Sequence, residues 1–202
     1  MLLDIEKDIK VVLSKQKKKT GKQKTTMRIS VPQKNLNKFK EIILHILDKV
    51  GSKPNFGQVV LYKLLYFMDF NFYEMYEEQL IGATYIKNRY GPTPKEFMVI
   101  IKEMEKDKDL IRVQDEYFRY PRTKYLPLRS ARLSELKDAR ELKMIDQVLD
   151  KLSDLNATQI SEYSHNDVPW LTAEDGQVID YESVFYRTPP YSVRSYSEED
   201  IR

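Results

Sequence analysis

The sequence lacks cysteine altogether and has little glycine or histidine. Without a thiol, the chain cannot form a disulfide, a thiolate zinc site, an iron–sulfur cluster or a cysteine nucleophile. Its six glycines include no pair two or five residues apart, the spacings by which dinucleotide-binding turns and P-loops approach phosphate. The two histidines and the carboxylates show none of the common metal-site spacings. The sequence therefore predicts no metal and no cofactor.

A long hydrophobic run is also missing. The longest candidate, residues 59–68, contains Lys63 and is followed by Asp69. Spanning a bilayer needs about 18 consecutive apolar residues. The first fifteen residues carry charges of both signs and no small-residue cleavage site, unlike a secretory signal. We therefore expect a cytoplasmic protein with no membrane contact.

Aromatic residues, in contrast, are abundant. The 202 residues include 14 Tyr, 8 Phe and 1 Trp, and the composition is 41% hydrophobic and 32% charged. A buried aromatic ring removes about 150–250 Å² from water. This composition predicts a folded domain with a ring-rich core and a densely charged surface.

Residues 1–34 are strongly basic, with ten Lys or Arg against three acidic residues, although the whole chain has a net charge of only +3. This composition is typical of a solvated linker. The alternative is an arm that contacts a protein partner or nucleic-acid phosphates. No aromatic residue is interleaved to stack on bases, which favours the linker. The acid-free run holds Lys15, Lys17, Lys18, Lys19, Lys22, Lys24 and Arg28.

Apolar residues at helical spacing precede this basic run and predict a short amphipathic helix. A helix of about 12 residues is only marginally stable alone. We therefore expect its apolar stripe to contact the body of the protein, a partner, or a second copy of the chain by self-association. The stripe consists of Leu2, Ile5, Ile9, Val12 and Leu13.

The body, residues 35–191, has the patterns of a predominantly helical α+β domain, followed by a polar tail at residues 192–202. Helical periods predict a helix from Asn35 to Gly51 and a central buried helix within residues 56–80. The order of elements gives a vague likeness to winged-helix modules. The further predicted elements are a strand at 81–87, a turn at 90–94, a helix at 94–106, a β-hairpin from 110–114 and 117–126, a helix from Ser134 to Leu152, and one capped by Asn156 or Thr158 that ends near His165.

The two histidines are the first candidates for chemistry. His45 lies within an apolar helical period, so we interpret it as structural. His165 lies two residues before Asp167, but sequence neighbours do not form a triad, which weakens the alternative of a hydrolase. We expect His165 to bond nearby carbonyls, Pro169 to stop the helix and Trp170 to fill the core. The sequence thus predicts no enzyme.

Lys63 lies between Tyr62 and Leu64 in an otherwise apolar segment. The simplest interpretation is an amine that reaches the surface or contacts tyrosine hydroxyls. The alternatives are a cation that anchors an acidic partner and an activated amine.

Four short blocks together resemble the Panacea domain of the SocA-like antitoxin family, which also includes phage-associated proteins related to GepA. They are residues 63–67 (Lys-Leu-Leu-Tyr-Phe), 82–85 (Gly-Ala-Thr-Tyr), 90–92 (Tyr-Gly-Pro), and Ser164-His165 with Pro169-Trp170. The resemblance covers residues 36–191. The positions that match the family's signature are Lys63, Leu64, Tyr66, Tyr90, Gly91, Pro92, His165, Pro169 and Trp170.

This resemblance implies a non-catalytic antitoxin of bacteria or their prophages. Such a protein neutralises a cognate toxin encoded beside it, chiefly by direct protein contact. The signature does not fix the toxin contacts, and we expect them in the N-terminal arm and the exposed hairpin. The alternative function is a nucleic-acid-associated transcriptional regulator that uses the basic arm.

Overall fold

The computed structural model describes residues 33–136 and 139–194. The predicted N-terminal helix and the basic run, Lys15, Lys17, Lys18, Lys19, Lys22, Lys24 and Arg28, lie outside these residues. The predicted α+β, predominantly helical class is confirmed. In chain order, the elements are α1 (Gln33–Val50), α2 (Gln58–Tyr76), β1 (Tyr85–Asn88), β2 (Gly91–Pro94), α3 (Phe97–Lys106), β3 (Leu110–Tyr117), β4 (Tyr120–Pro127), a first 3-10 helix (Leu133–Glu135), α4 (Ala139–Leu152), α5 (Ala157–His165), α6 (Val168–Thr172) and a second 3-10 helix (Tyr181–Tyr186).

Helix α2 is the centre of the fold, as its apolar pattern predicts. Fourteen of its 19 residues are buried, and it packs against α4, α5, β2 and the second 3-10 helix. Each large apolar side chain buried in this way stabilises the fold by about 1.5–3 kcal/mol. The helix ends at Tyr76, earlier than the predicted segment, because Glu77 adopts a left-handed conformation and its N–H donates to Tyr73 O. The elements that pack around α2 therefore bring their side chains together along its surface.

The segment predicted as a turn, residues 90–94, is instead mostly strand. β1 and β2 form an antiparallel hairpin in which Tyr85 faces Pro94 and Lys87 faces Pro92. Proline has no N–H to donate to a ladder. It is tolerated here because the backbone groups of Tyr85 and Lys87 bond residues 177–179 on the other side of β1: Ile179 N–H donates to Tyr85 O, and Lys87 N–H donates to Gln177 O.

The second hairpin, β3 with β4, is confirmed, but its turn at residues 118–119 lies inside the segment predicted as the second strand, so the first strand is longer than predicted. Its antiparallel register runs from the pair Leu110 and Pro127 to the pair Tyr117 and Tyr120. The two turn residues, Phe118 and Arg119, both have positive φ, at 48° and 67°, as a two-residue hairpin turn of this hand requires. The base of the hairpin joins the core, and its tip carries the exposed side chains of Phe118 and Tyr120.

The helix boundaries correct several predictions. Asn35 lies inside α1, which begins at Gln33 and ends before Gly51. Ser134 belongs to the first 3-10 helix and is not the cap of α4, although α4 ends at Leu152 as expected. For α5 the predicted cap Asn156 is confirmed, with its side chain accepting from Gln159 N–H in a full capping box.

The C-terminal part of the domain folds back on α2. Residues 189–191 form a turn, and Val193 N–H donates to Glu74. Within the two described ranges, we find no helix of the length and apolarity that crossing a bilayer requires.

Candidate functional site

Five residues from four elements meet beside α2, and we call this cluster the Lys63 site. Lys63 comes from α2, Gly91 from β2, Ser164 and His165 from the end of α5, and Trp170 from α6. A side-chain carbon at Gly91 would lie 2.5 Å from Ser164 Oγ, 2.8 Å from Lys63 Cε and 3.2 Å from Lys63 Nζ. Only a glycine therefore lets β2 approach α2 and α5 so closely.

Gly91 also has a backbone angle that favours glycine. Its φ is +94°, in the region that residues with a Cβ rarely adopt. It directly follows the turn residue Tyr90, which is 69% exposed. Of the signature positions, Tyr90 therefore lies outside the core, whereas Tyr66 and Leu64 are fully buried.

Lys63 is buried, and it makes no hydrogen bond to a tyrosine hydroxyl. The residue is only 1% exposed. The two neighbouring hydroxyls are engaged elsewhere: Tyr62 accepts from Gln58, and Tyr66 donates to Asp167. Among the described residues, Lys63 Nζ has neither a hydrogen bond nor an ion pair, and burial alone lowers its pKa to about 7. The predicted contact of the Lys63 amine with tyrosine hydroxyls is thus wrong.

His165 and Trp170 stack on each other, with ring centroids 4.3 Å apart and an interplanar angle of 22°. His165 Nε2 and Trp170 Nε1 are buried, and each lacks a hydrogen-bond partner within the described ranges. The expected bond from this His165 nitrogen to a nearby carbonyl is therefore not made. Burial, then the positive charges of Lys63 and Lys87, lower the pKa of His165.

Lys87 completes the surroundings of the site, although no sequence pattern singles it out. Its Nζ lies 4.2 Å from the Trp170 ring centroid and donates to Ala173 O at 2.9 Å. This placement depends on how β1 packs against residues 173–177, which local sequence cannot show. Lys87 thus adds a second amine beside the Lys63 site, over the stacked indole of Trp170.

The short helix α6 corrects the predicted role of Pro169. Helix α5 already ends at His165, and Pro169 lies in the first turn of α6, where proline is favoured. Trp170 is half-buried and packs against the rim of the core. The break between the two helices brings the Trp170 ring back over His165.

Asp167 belongs to a different, fully buried network. Arg187 donates to both of its carboxylate oxygens, at 2.8 and 2.5 Å, and Tyr66 donates to it at 2.8 Å. Arg187 also pairs with Glu74 at 2.9 Å and with Asn71. Asp167 is thus occupied by a cation and a hydroxyl and does not orient His165.

The remaining candidate histidine, His45, is buried in α1 against the core. Burial is the largest cause that lowers its pKa. It lies on a different element from every residue of the Lys63 site. Within residues 33–136 and 139–194, no group of three or more His, Asp or Glu side chains is placed to hold a metal ion.

A second surface feature is the tip of the β3–β4 hairpin. Phe118 is 79% exposed and Tyr120 is 76% exposed. Beside them lies an open cavity of about 430 Å³, bounded by the hairpin tip and by the N-terminal turns of α2 and α5. The sequence predicts an exposed hairpin, but the cavity arises only from its packing against two helices. Other exposed apolar residues on and just after the hairpin are Ile111, Leu126 and Leu128.

Comparison with known proteins gives one match. The sequence model of the SocA-like antitoxin family, Panacea domain, matches residues 61–171, more than half of the chain. The match begins in α2 and ends in α6, so it includes all five residues of the Lys63 site and the whole β3–β4 hairpin. No curated protein and no solved structure matches the chain.

Proposed function

Because the chain belongs to the SocA-like antitoxin family with a Panacea domain, we propose that it neutralises a neighbouring protein toxin by direct protein–protein binding. The observation that carries this proposal is the family match over residues 61–171. An antitoxin that acts by contact needs a surface on which a toxin can bury apolar groups. The described residues offer such a surface at the hairpin tip.

We place the toxin contact on the tip of the β3–β4 hairpin. Exposed aromatic residues are the usual anchors of protein interfaces, because a large ring loses little conformational entropy on binding. Phe118 and Tyr120 project beside the open cavity, which can receive apolar side chains of a partner. The flanking pair of Asp115 with Arg122, at 2.6 Å, gives this surface a polar rim.

We further propose that the protein acts by binding and not by catalysis. The only acid–base pair that the sequence suggested is His165 with Asp167. Asp167 is held by Arg187 and Tyr66, so a carboxylate that would orient the imidazole is missing from that pair. This arrangement supports a binding role for the domain.

Co-expression with the open reading frame beside this gene tests the proposal. We expect the wild-type protein to rescue growth from the neighbouring toxin and to co-purify with it on one affinity column. A matched pair of variants locates the contact, because Tyr120 and Tyr186 are 76% and 77% exposed on different elements. Tyr120→Ala should weaken toxin binding at least about tenfold, whereas Tyr186→Ala should not.

Two results would count against this function. If the neighbouring protein is toxic but the wild-type chain neither rescues growth nor forms a complex, neutralisation of that toxin is wrong. If both tyrosine variants bind like wild type, neutralisation stands and the hairpin contact is wrong. Circular dichroism of both variants checks that each remains folded.

A further inference from the structure

Lys63 is a buried amine with no compensating partner. A buried lysine is normally paired with an acid or with hydrogen-bond acceptors, since an isolated ammonium group loses its hydration energy. No described acid pairs with Lys63, and burial is the sole cause of its lowered pKa. This residue therefore destabilises the protein when nothing is bound.

The other polar groups of the Lys63 site, and Lys87 beside it, are hydrogen-bond donors and cations. Trp170 Nε1 can only donate, and His165 Nε2 can donate in the matching tautomer; both are unpartnered. Lys87 adds a second positive charge over the Trp170 ring. Ser164 Oγ already donates to Ser161 O at 2.7 Å. Lys87 pairs with the exposed Asp175 at 3.7 Å, but no acid among the described residues pairs with Lys63.

An acceptor can approach the cluster from the exposed chain beside Gly91. Gly91 contributes no side chain where a Cβ would meet Ser164 and Lys63. The chain next to it, residues 88–90, forms an exposed turn, and His165 and Trp170 are only half-buried. The cluster thus borders the surface, although Lys63 itself is enclosed.

We propose that the Lys63 site binds one oxyanionic group, a carboxylate or a phosphate, with the Lys63 ammonium as its charge partner. The group comes from a free small anion or from an acidic side chain of a bound protein; the second source rests on the proposed function. Asp167 cannot substitute for it, because Arg187 already neutralises that carboxylate. Glu162 is the one acid that acts on His165, and it is on the outer side of α5.

The first arm of the test uses free anions. Trp170 is the only tryptophan of the chain, so its fluorescence reports on the site directly. We expect sodium phosphate or sodium acetate, titrated at constant ionic strength, to change this fluorescence saturably and to raise the melting temperature. Lys63→Met should abolish both effects, and Lys102→Met, which removes an exposed lysine of α3, should preserve them.

Binding should also tighten as the pH falls from 8 to 6. The Lys63 amine must be protonated to pair with an anion, and its pKa in the free protein is about 7. The charged groups that face the cluster are Lys87 on β1, Glu162 on α5 and Asp175, which pairs with Lys87 at 3.7 Å. Protonation of His165 also adds a positive charge, so it too favours anion binding at lower pH.

The second arm uses the complex with the neighbouring toxin. If free anions have no effect, an acidic side chain of the toxin is the remaining source, and Lys63→Met should weaken toxin binding at least about tenfold relative to Lys102→Met. A wild-type protein that binds anions but no toxin would overturn the proposed function and leave this site intact. If Lys63→Met alters neither anion nor toxin binding, the site does not exist and Lys63 is a buried neutral amine.

Discussion

At the scale of single residues, Lys63 makes stability depend on pH in a direction that can be worked out. Its pKa falls from an ordinary 10.5 to about 7 on folding, so the unfolded chain binds the proton more tightly. The free energy of unfolding should therefore decrease as the pH is lowered from about 10 to about 7, and the decrease is complete below pH 7. A pKa shift of this size corresponds to a loss of about 3–5 kcal/mol.

Comparison with Lys63→Met isolates this effect. The free energy of unfolding, measured by urea denaturation at pH 7 and pH 10, should be higher for the variant than for wild type at pH 7 and should converge towards it at pH 10. Lys102→Met, on the surface of α3, should follow wild type at both values. A wild type that is more stable than Lys63→Met at pH 7 would mean that the amine has a stabilising partner.

At the scale of elements, the β1–β2 hairpin depends on Gly91 for two separate reasons, and a matched glycine separates them. Gly91 and Gly176 both have positive φ, +94° and +76°, but a Cβ at Gly176 meets nothing within 4 Å. Gly176→Ala should cost only backbone strain, about 1–2 kcal/mol. Gly91→Ala should cost about 1–3 kcal/mol more, since the new methyl group displaces Ser164 and Lys63.

Urea denaturation of both glycine variants measures this difference. Gly91→Ala should also remove the fluorescence response of Trp170 to anions, because its methyl group occupies the space beside Lys63 Nζ. Equal losses of stability in the two variants would show that β2 has room to move away from α5 and that the close approach is not a constraint.

Elements that depend on local periodicity were predictable from the sequence, and those that depend on distant pairing were not. The apolar pattern of α2 and the cap at Asn156 act within a few residues, so the sequence alone identifies them. Strand β2 contains Pro92 and Pro94, and local sequence predicts a turn there. The segment forms a strand because its partner β1 is held on the opposite edge by hydrogen bonds to residues 177–179, which lie more than 80 positions later in the chain.

At the scale of the whole molecule, the candidate site is a product of tertiary structure. The resemblance to the Panacea family places Lys63, Gly91 and His165 among the signature positions. It does not show that they touch, since about 100 residues separate α2 from the end of α5. That Lys63 lacks a charge partner can be recognised only when the neighbouring carboxylates have been located in the fold.

The division of the whole chain into a basic segment and a folded body leads to the last prediction. The hydrophobic core lies entirely within residues 36–184 of the described part of the chain, and the hairpin tip is on this body. A chain that begins at residue 33 should therefore fold and bind the toxin with an affinity within about threefold of the full-length protein. The toxin affinities of the shortened chain and of the full-length protein, each measured at low and at high salt, test this prediction.

The matched control is the full-length chain with Lys15, Lys17, Lys18, Lys19 and Lys22 changed to Gln, which keeps the segment and removes most of its charge. If toxin binding were carried by the basic arm, both variants would lose affinity, and the wild-type affinity would fall steeply with salt because the contact would be electrostatic. If only nucleic-acid binding is lost, with a steep salt dependence in wild type, the arm has a second role and the folded body alone neutralises the toxin.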